Sequence, residues 1–245
     1  MPVMLREAWA TLVPDVTDRH GPLPPLMLAL TFVTGPVDAV SYLQLGRIFV
    51  ANMTGNVVSS GFAFAGAPGF SLAASLVALA AFAAGALLGG PVVHRTRTHR
   101  GRNLQYALLA ETAFVAAAVI VTQVSGSPYA GGVRFTLVVL LALGLGVQNS
   151  AARALAVPDL TTTVPTLTGI AADSHLTGGA GNKAGRRVIS ACAMLLGAVA
   201  GAAAVLHGHP TLPLLLAVAI LAAASAAATA LARTDAPWTR PLAEK

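Results

Sequence analysis

Apolar runs close to membrane-spanning length recur along the whole chain, and they dictate its fold class. They occupy roughly residues 26–45, 48–66, 70–93, 104–124, 133–155, 161–172, 187–207 and 212–232. About 20 consecutive apolar residues make a helix long enough to cross the hydrocarbon core of a bilayer. Six of the runs meet that length cleanly, whereas 48–66 and 161–172 are interrupted by Asn, Thr, Gly or Pro. Only 10% of the 245 residues are charged, against about 25% in soluble domains. A chain so poor in charge cannot cover a globule in water. The expected class is therefore all-α, a polytopic helical membrane protein with about six transmembrane helices. The apolar content is mainly Ala, Leu, Val and Gly, which suits helices packed closely in lipid.

Charge placement decides how many runs cross. Arg95, Arg97, Arg100 and Arg102 fill one loop, Lys183, Arg186 and Arg187 precede the run at 187, Arg233, Arg240 and Lys245 follow the last run, and Arg6 and Arg19 precede the first. If 48–66 and 161–172 add no full crossing, all twelve of these cations share one side with both termini. That arrangement satisfies the positive-inside rule, and eight crossings would violate it. The expectation is a bacterial cytoplasmic-membrane protein with both termini cytoplasmic. Its segments are a cytoplasmic tail at 1–25, a first membrane repeat at 26–124, a second at 125–232 and a cytoplasmic tail at 233–245. The net charge of +6 sits in clusters beside apolar runs, so a bilayer, not nucleic acid, is the expected partner. The lone Cys192 excludes an intrachain disulfide and reads as a small packing residue.

The two halves look alike. Gly35-Pro36-Val37-Asp38-Ala39 leads to Phe49-Val50-Ala51-Asn52-Met53-Thr54-Gly55-Asn56, and Gly146-Val147-Gln148-Asn149-Ser150 leads to Leu160 and Thr161-Thr162-Thr163-Val164-Pro165-Thr166. Asp38 and Asn149 are offset by 111 residues (149 − 38), and the dyads Gly85/Gly89 and Gly197/Gly201 by 112 (197 − 85). Three crossings per half would invert the second half relative to the first. Inverted repeats with interrupted helices are a recurrent transporter plan, with the site near the midplane. Duplicated bundles can also share small-residue packing without transporting anything.

Asp38 is the most informative candidate. A carboxylate inside a span costs about 2.5–3.5 kcal/mol on insertion scales and should face protein or water. It reads either as a coupling or solute-binding group, or as a cap restarting a helix broken by Pro36. Asn52, Thr54 and Asn56 supply amide and hydroxyl groups for a cation or polar solute, or simply join helices. Gln148, Asn149, Thr162, Thr163 and Thr166 are their counterparts in the second half. Arg153 either neutralises Asp38 or snorkels to the surface, and Glu111 either faces the interior or reaches the basic loop at Arg102. His207 and His209 read as an outer turn, without a third ligand for a metal. No nucleophile elbow, zinc-protease or phosphate-loop motif occurs, so neither an enzyme nor a cofactor is expected.

At the interrupted segments the chain resembles the YoaK-like multi-pass bacterial membrane proteins. The likeness is carried by residues 35–43, by Phe49–Asn56 with its Met53-Thr54-Gly55-Asn56 segment, by Gly146–Arg153 and by Thr161–Thr163, within a span of roughly 25–232. Pro165 departs from the aliphatic residue common there. The resemblance implies a six-helix membrane protein with no assigned activity. It also implies a distant relation to half of a major-facilitator transporter, hence pairing into a homodimer of twelve helices. The leading functional expectation is a secondary transporter of a small polar or ionic solute. The rival is a non-transporting scaffold or partner subunit whose polar residues serve helix packing.

Overall fold

A computed structural model describes residues 9–15, 18, 20–155, 184–234 and 236–240. Among these, the long elements are α1 (Leu23–Gln44), α2 (Met53–Phe64), α3 (Leu72–Thr96), α4 (Arg100–Ser125), α5 (Gly131–Leu155), α6 (Ala184–Leu206) and α7 (Leu212–Leu231), followed by a 3-10 turn at Pro237–Thr239. All but α2 are long and apolar enough to cross a membrane. At 1.5 Å per residue, the 12 residues of α2 reach about 18 Å, well short of a hydrocarbon core of about 30 Å. The interrupted run at 48–66 therefore contributes no spanning helix. The run at 161–172 lies outside the described residues.

Local chemistry explains the helix starts. Pro24 and Pro25 open α1, where a missing N–H costs nothing; the first spanning helix thus begins at Leu23, ahead of the boundary expected from hydropathy. The Asn52 side chain caps α2 by accepting from Gly55 N–H at 3.3 Å, and Ser71 caps α3 by accepting from Ala74 N–H at 3.3 Å. Pro36 does not break α1, which runs unbroken from Leu23 to Gln44. The ring denies the Phe32 carbonyl its usual helical donor, and that carbonyl lies directly against Gly197 of α6. Close packing of a neighbour takes the place of the lost turn.

Two glycine crossings dominate the packing. Along α1 and α6, Gly35 meets the backbone of Met194, Gly197 and Ala198, while Gly201 meets Pro36 and Ala39. Along α3 and α5, Gly85 meets Leu143, Gly146 meets Phe82 and Ala86, and Gly89 meets Val147 and Ser150. Contacts advance in the same sense on both members of each pair, so each pair is parallel. A side chain at any of these glycines would land on backbone or a neighbouring residue, so small residues set the approach distance. Helix α4 instead runs antiparallel to α7, joined by Gln105 to Thr229 at 3.1 Å and Thr112 to Ser225 at 3.3 Å. Short turns reverse the chain between α3 and α4, α4 and α5, and α6 and α7. The directions of the six long helices therefore alternate along the chain.

The two ends of the bundle differ. At one end Arg100 ties elements together, donating to Leu155 O at 2.7 Å and Trp238 O at 3.4 Å, with His20 Nδ1 3.4 Å away. Arg95, Arg97, Arg102, Arg153, Arg186, Arg187, Arg233 and Arg240 lie on helix ends and turns at this same end. The midsection is apolar on its outside, with Leu87, Leu88, Ile120, Leu195 and Val199 more than half exposed, as a lipid-facing surface requires. Cys192 is exposed on α6 as well, so it is not the packing residue expected. Arg153 is exposed in the last turn of α5 and makes no ion pair with Asp38; its position suits contact with the membrane surface.

Candidate functional site

Asp38 lies six residues before the end of α1, about 9 Å along the axis. Its side chain is buried, and Oδ1 accepts from Val50 N–H and Ala51 N–H, each at 3.0 Å. The chain leaving α1 therefore turns back into the bundle and dips to the level of Asp38 before α2 begins. This re-entrant stretch is non-helical backbone at membrane depth, which survives only when protein supplies its hydrogen-bond partners.

Asn56 supplies the rest. Fully buried, it accepts from Phe49 N–H at 2.9 Å through Oδ1 and donates to Phe49 O at 2.6 Å through Nδ2. These two bonds imitate one rung of a β-ladder, with a side chain standing in for a strand. The Phe49 ring rests near Tyr42, centroids 4.9 Å apart, and against Gly55, where a Cβ would come within 2.8 Å of the ring. With Asn52 capping α2, the positive end of that short helix is anchored at the inner end of the dip.

The expected residues thus divide. Asp38, Asn52 and Asn56 converge on one segment, and all three bind backbone there. Asp38 is not a cap of its own helix; it fastens a segment twelve residues downstream. Thr54 is exposed on α2 and does not join them. Gln148 and Asn149 are half-buried on α5, with no side-chain hydrogen bond to the described residues. Thr162, Thr163 and Thr166 lie outside the described residues. Asp38 keeps one oxygen, Oδ2, buried without a hydrogen-bond partner among the described residues.

Glu111 is the other buried carboxyl. It faces the bundle interior from α4, fully buried, with both oxygens lacking a partner among the described residues, and does not reach Arg102. The close approach of Gly144 on α5, whose Cβ would stand 3.7 Å from the Glu111 backbone, closes α5 over it. Sequence reasoning weighed Glu111 but missed Arg134, which is hidden near the start of an apolar run. Its signal was available: an arginine at the bundle end away from the basic loops runs against the usual charge bias.

Six apolar spanning helices around a buried, hydrogen-bonded re-entrant loop define a multi-pass integral membrane protein. The chain belongs to the family described as Protein of unknown function (DUF1275), which it matches over residues 26–227. It is similar to the UPF0700 transmembrane protein YoaK of Bacillus subtilis (strain 168), 30% identical over 142 residues. That match covers 58% of this chain and 61% of the relative, so the chain spans less than two thirds of the relative's length. No solved structure matches the chain.

Proposed function

We propose that the protein is a secondary transporter of a small polar or ionic solute, not an enzyme, built from two inverted three-helix halves. The observation that carries the reading is the re-entrant Phe49–Asn56 segment, with the N-terminus of α2 held inside the bundle beside Asp38. Broken segments whose helix ends point at the midplane form the solute and ion sites of many secondary transporters. The inverted halves gain support from the two glycine crossings: Gly35 on Gly197 and Gly146 on Gly85 are exchanges between halves, related by the offsets of 111 (146 − 35) and 112 (197 − 85). Architecture alone does not establish transport. Reconstitution into proteoliposomes and a screen of labelled solutes under proton and sodium gradients is the direct test. Gradient-dependent uptake of none of them, by protein verified as folded, would overturn it.

The proposed setting is the bacterial cytoplasmic membrane, with both termini cytoplasmic, because most of the described cations crowd the end where α1 begins and α7 finishes. In a Cys192→Ser background, Thr98→Cys and Ala184→Cys should react with an impermeant maleimide only after permeabilisation. Reaction in intact cells would invert the orientation. A homodimer of twelve spans is the proposed assembly, readable as mass in native mass spectrometry, and nucleic acid is not a proposed partner. The scaffold reading draws support from one fact: Asp38 Oδ1 and both polar atoms of Asn56 are already engaged by backbone. On that reading the polar residues hold the fold and no solute moves.

A further inference from the structure

Arg47 and Arg134 line one cavity of about 500 Å³ at the bundle end opposite Arg100, between the end of α1 and the start of α5. Its other lining residues with polar side chains are Gln44, Tyr42 and Tyr129. No lining residue is acidic. The nearest carboxyl along the chain, Asp38, lies one turn before Tyr42 on α1 and is directed to Val50 and Ala51.

The two arginines share the lining of this one cavity. Arg134 Nη1 lies 3.1 Å from where a Cβ on Gly46 would stand, so it rests on the residue preceding Arg47. Arg47 Nη1 lies 3.0 Å from the equivalent point on Gly69. Arg47 adopts the left-handed backbone region, φ 57°, which a side-chain-bearing residue seldom occupies without a reason. Arg134 is half-buried, with Nε enclosed and without a hydrogen-bond partner among the described residues. Each planar head is seated on an aromatic ring, Arg47 on Phe70 at 5.8 Å and Arg134 on Phe135 at 5.1 Å. Such stacking orients the planar donor fork. Arg134 also falls in the first turn of α5, where free backbone N–H groups add positive character.

We infer that this cleft is an oxyanion site, taking a carboxylate or phosphate group between Arg47 and Arg134. Two like charges line it with no acidic residue among the lining, and arginine forks match the paired oxygens of such anions. The Gln44 amide and the Tyr42 hydroxyl would add donors, while the Tyr129 hydroxyl lies 3.4 Å from Thr211 Oγ1. The group could belong to a free solute or to the phosphate of an anionic lipid headgroup from the adjoining leaflet. The inference narrows the solute class of the transport reading but does not rest on it, because binding is measured without a gradient.

The test uses the purified full chain at low ionic strength, with inorganic phosphate and succinate as soluble probes in calorimetry. Phosphatidylglycerol retention in native mass spectrometry probes the lipid source. Arg134→Gln and Arg47→Gln should each weaken binding about tenfold or more, the scale of a lost charge-assisted bond. Arg102→Gln, at the other end, should leave it unchanged. Arg134→Lys, which keeps the charge without the fork, should bind at an intermediate level and serves if the Gln variant fails to fold. Soluble binding lost in the cleft variants identifies a free anion. Phosphatidylglycerol retention lost in the same variants, with phosphate unable to compete, identifies a headgroup. No binding of either probe by the wild type, or equal binding by wild type and folded cleft variants, overturns the site.

Discussion

Asp38 and Glu111 are the two buried carboxyls described within spanning helices, and they are wired in opposite ways. Asp38 meets two backbone N–H groups of a segment that would otherwise have bare donors in the bilayer core. Glu111 meets no donor at all among the described residues. An unpartnered carboxyl is costly to bury in any state, yet α4 and α5 close over it. A group that stabilises its surroundings needs no other reason to be present. A group that only costs stability points to a role beyond folding, since strain and unmet polar groups gather at functional positions. The contrast shifts attention from the residue that stands out in the sequence to the one that stands out in the packing.

The largest effect should come from Asp38→Ala. Removing the acceptor strands two N–H groups, Val50 and Ala51, at membrane depth, each worth about 1–3 kcal/mol when left unmet. The melting temperature in detergent should fall sharply, and the yield of monodisperse protein should fall with it. Asp38→Asn keeps one carbonyl oxygen in place of Oδ1 and should melt within a few degrees of the wild type. A stable Asp38→Ala protein would break the comparison, because Asp38 would then be as dispensable to the fold as Glu111.

Asn56→Ala should cost somewhat less: it strands one N–H and one carbonyl of Phe49, about 1–3 kcal/mol for the N–H and less for the carbonyl, which tolerates a missing partner better than an N–H does. Thr54→Ala, on the exposed side of the same helix, is the matched control and should leave the melting temperature unchanged. Equal melting of the two variants would show that the dip does not depend on its side-chain rung.

Much of this was legible in sequence, for physical reasons that also mark the limits. Six spans follow from run length, and the polar content of 48–66 flagged a stretch unable to lie as plain helix in lipid. Length and hydropathy carry no record of tertiary partners, however. Nothing periodic connects Asp38 to the amides of Val50 and Ala51, so the sequence offers only a coupling or solute-binding group or a cap for its own helix. The expectation that Pro36 breaks α1 failed because the freed Phe32 carbonyl is covered by Gly197, a residue of the other half. Arg134 was invisible to an average over an apolar run, although its charge is what gives the cleft beside Arg47 its chemistry. The glycine dyads Gly85/Gly89 and Gly197/Gly201, which mark the repeat offset in the sequence, are the residues at which α3 and α6 touch their parallel neighbours.

The smallest effect on stability, and the sharpest test of the comparison, belongs to Glu111→Gln. The substitution keeps the shape of the side chain and removes its ability to carry a proton. No hydrogen bond to the described residues is lost, since neither oxygen has one, so melting should change by no more than about 1 kcal/mol equivalent in either direction. Glu111→Leu, an apolar side chain of similar bulk, should be neutral or stabilising, the usual outcome when an uncompensated polar group gives way to hydrocarbon. The functional forecast differs from the structural one. If the protein couples solute movement to protons, Glu111→Gln should abolish gradient-driven uptake while leaving solute exchange at equilibrium intact, because exchange needs the solute site but no net proton transfer. Asp38→Asn should retain both, as its oxygen serves the backbone of the dip. Proton-driven uptake that survives Glu111→Gln and disappears in a folded Asp38→Asn protein would reverse the assignment and return the coupling role to the carboxyl on α1.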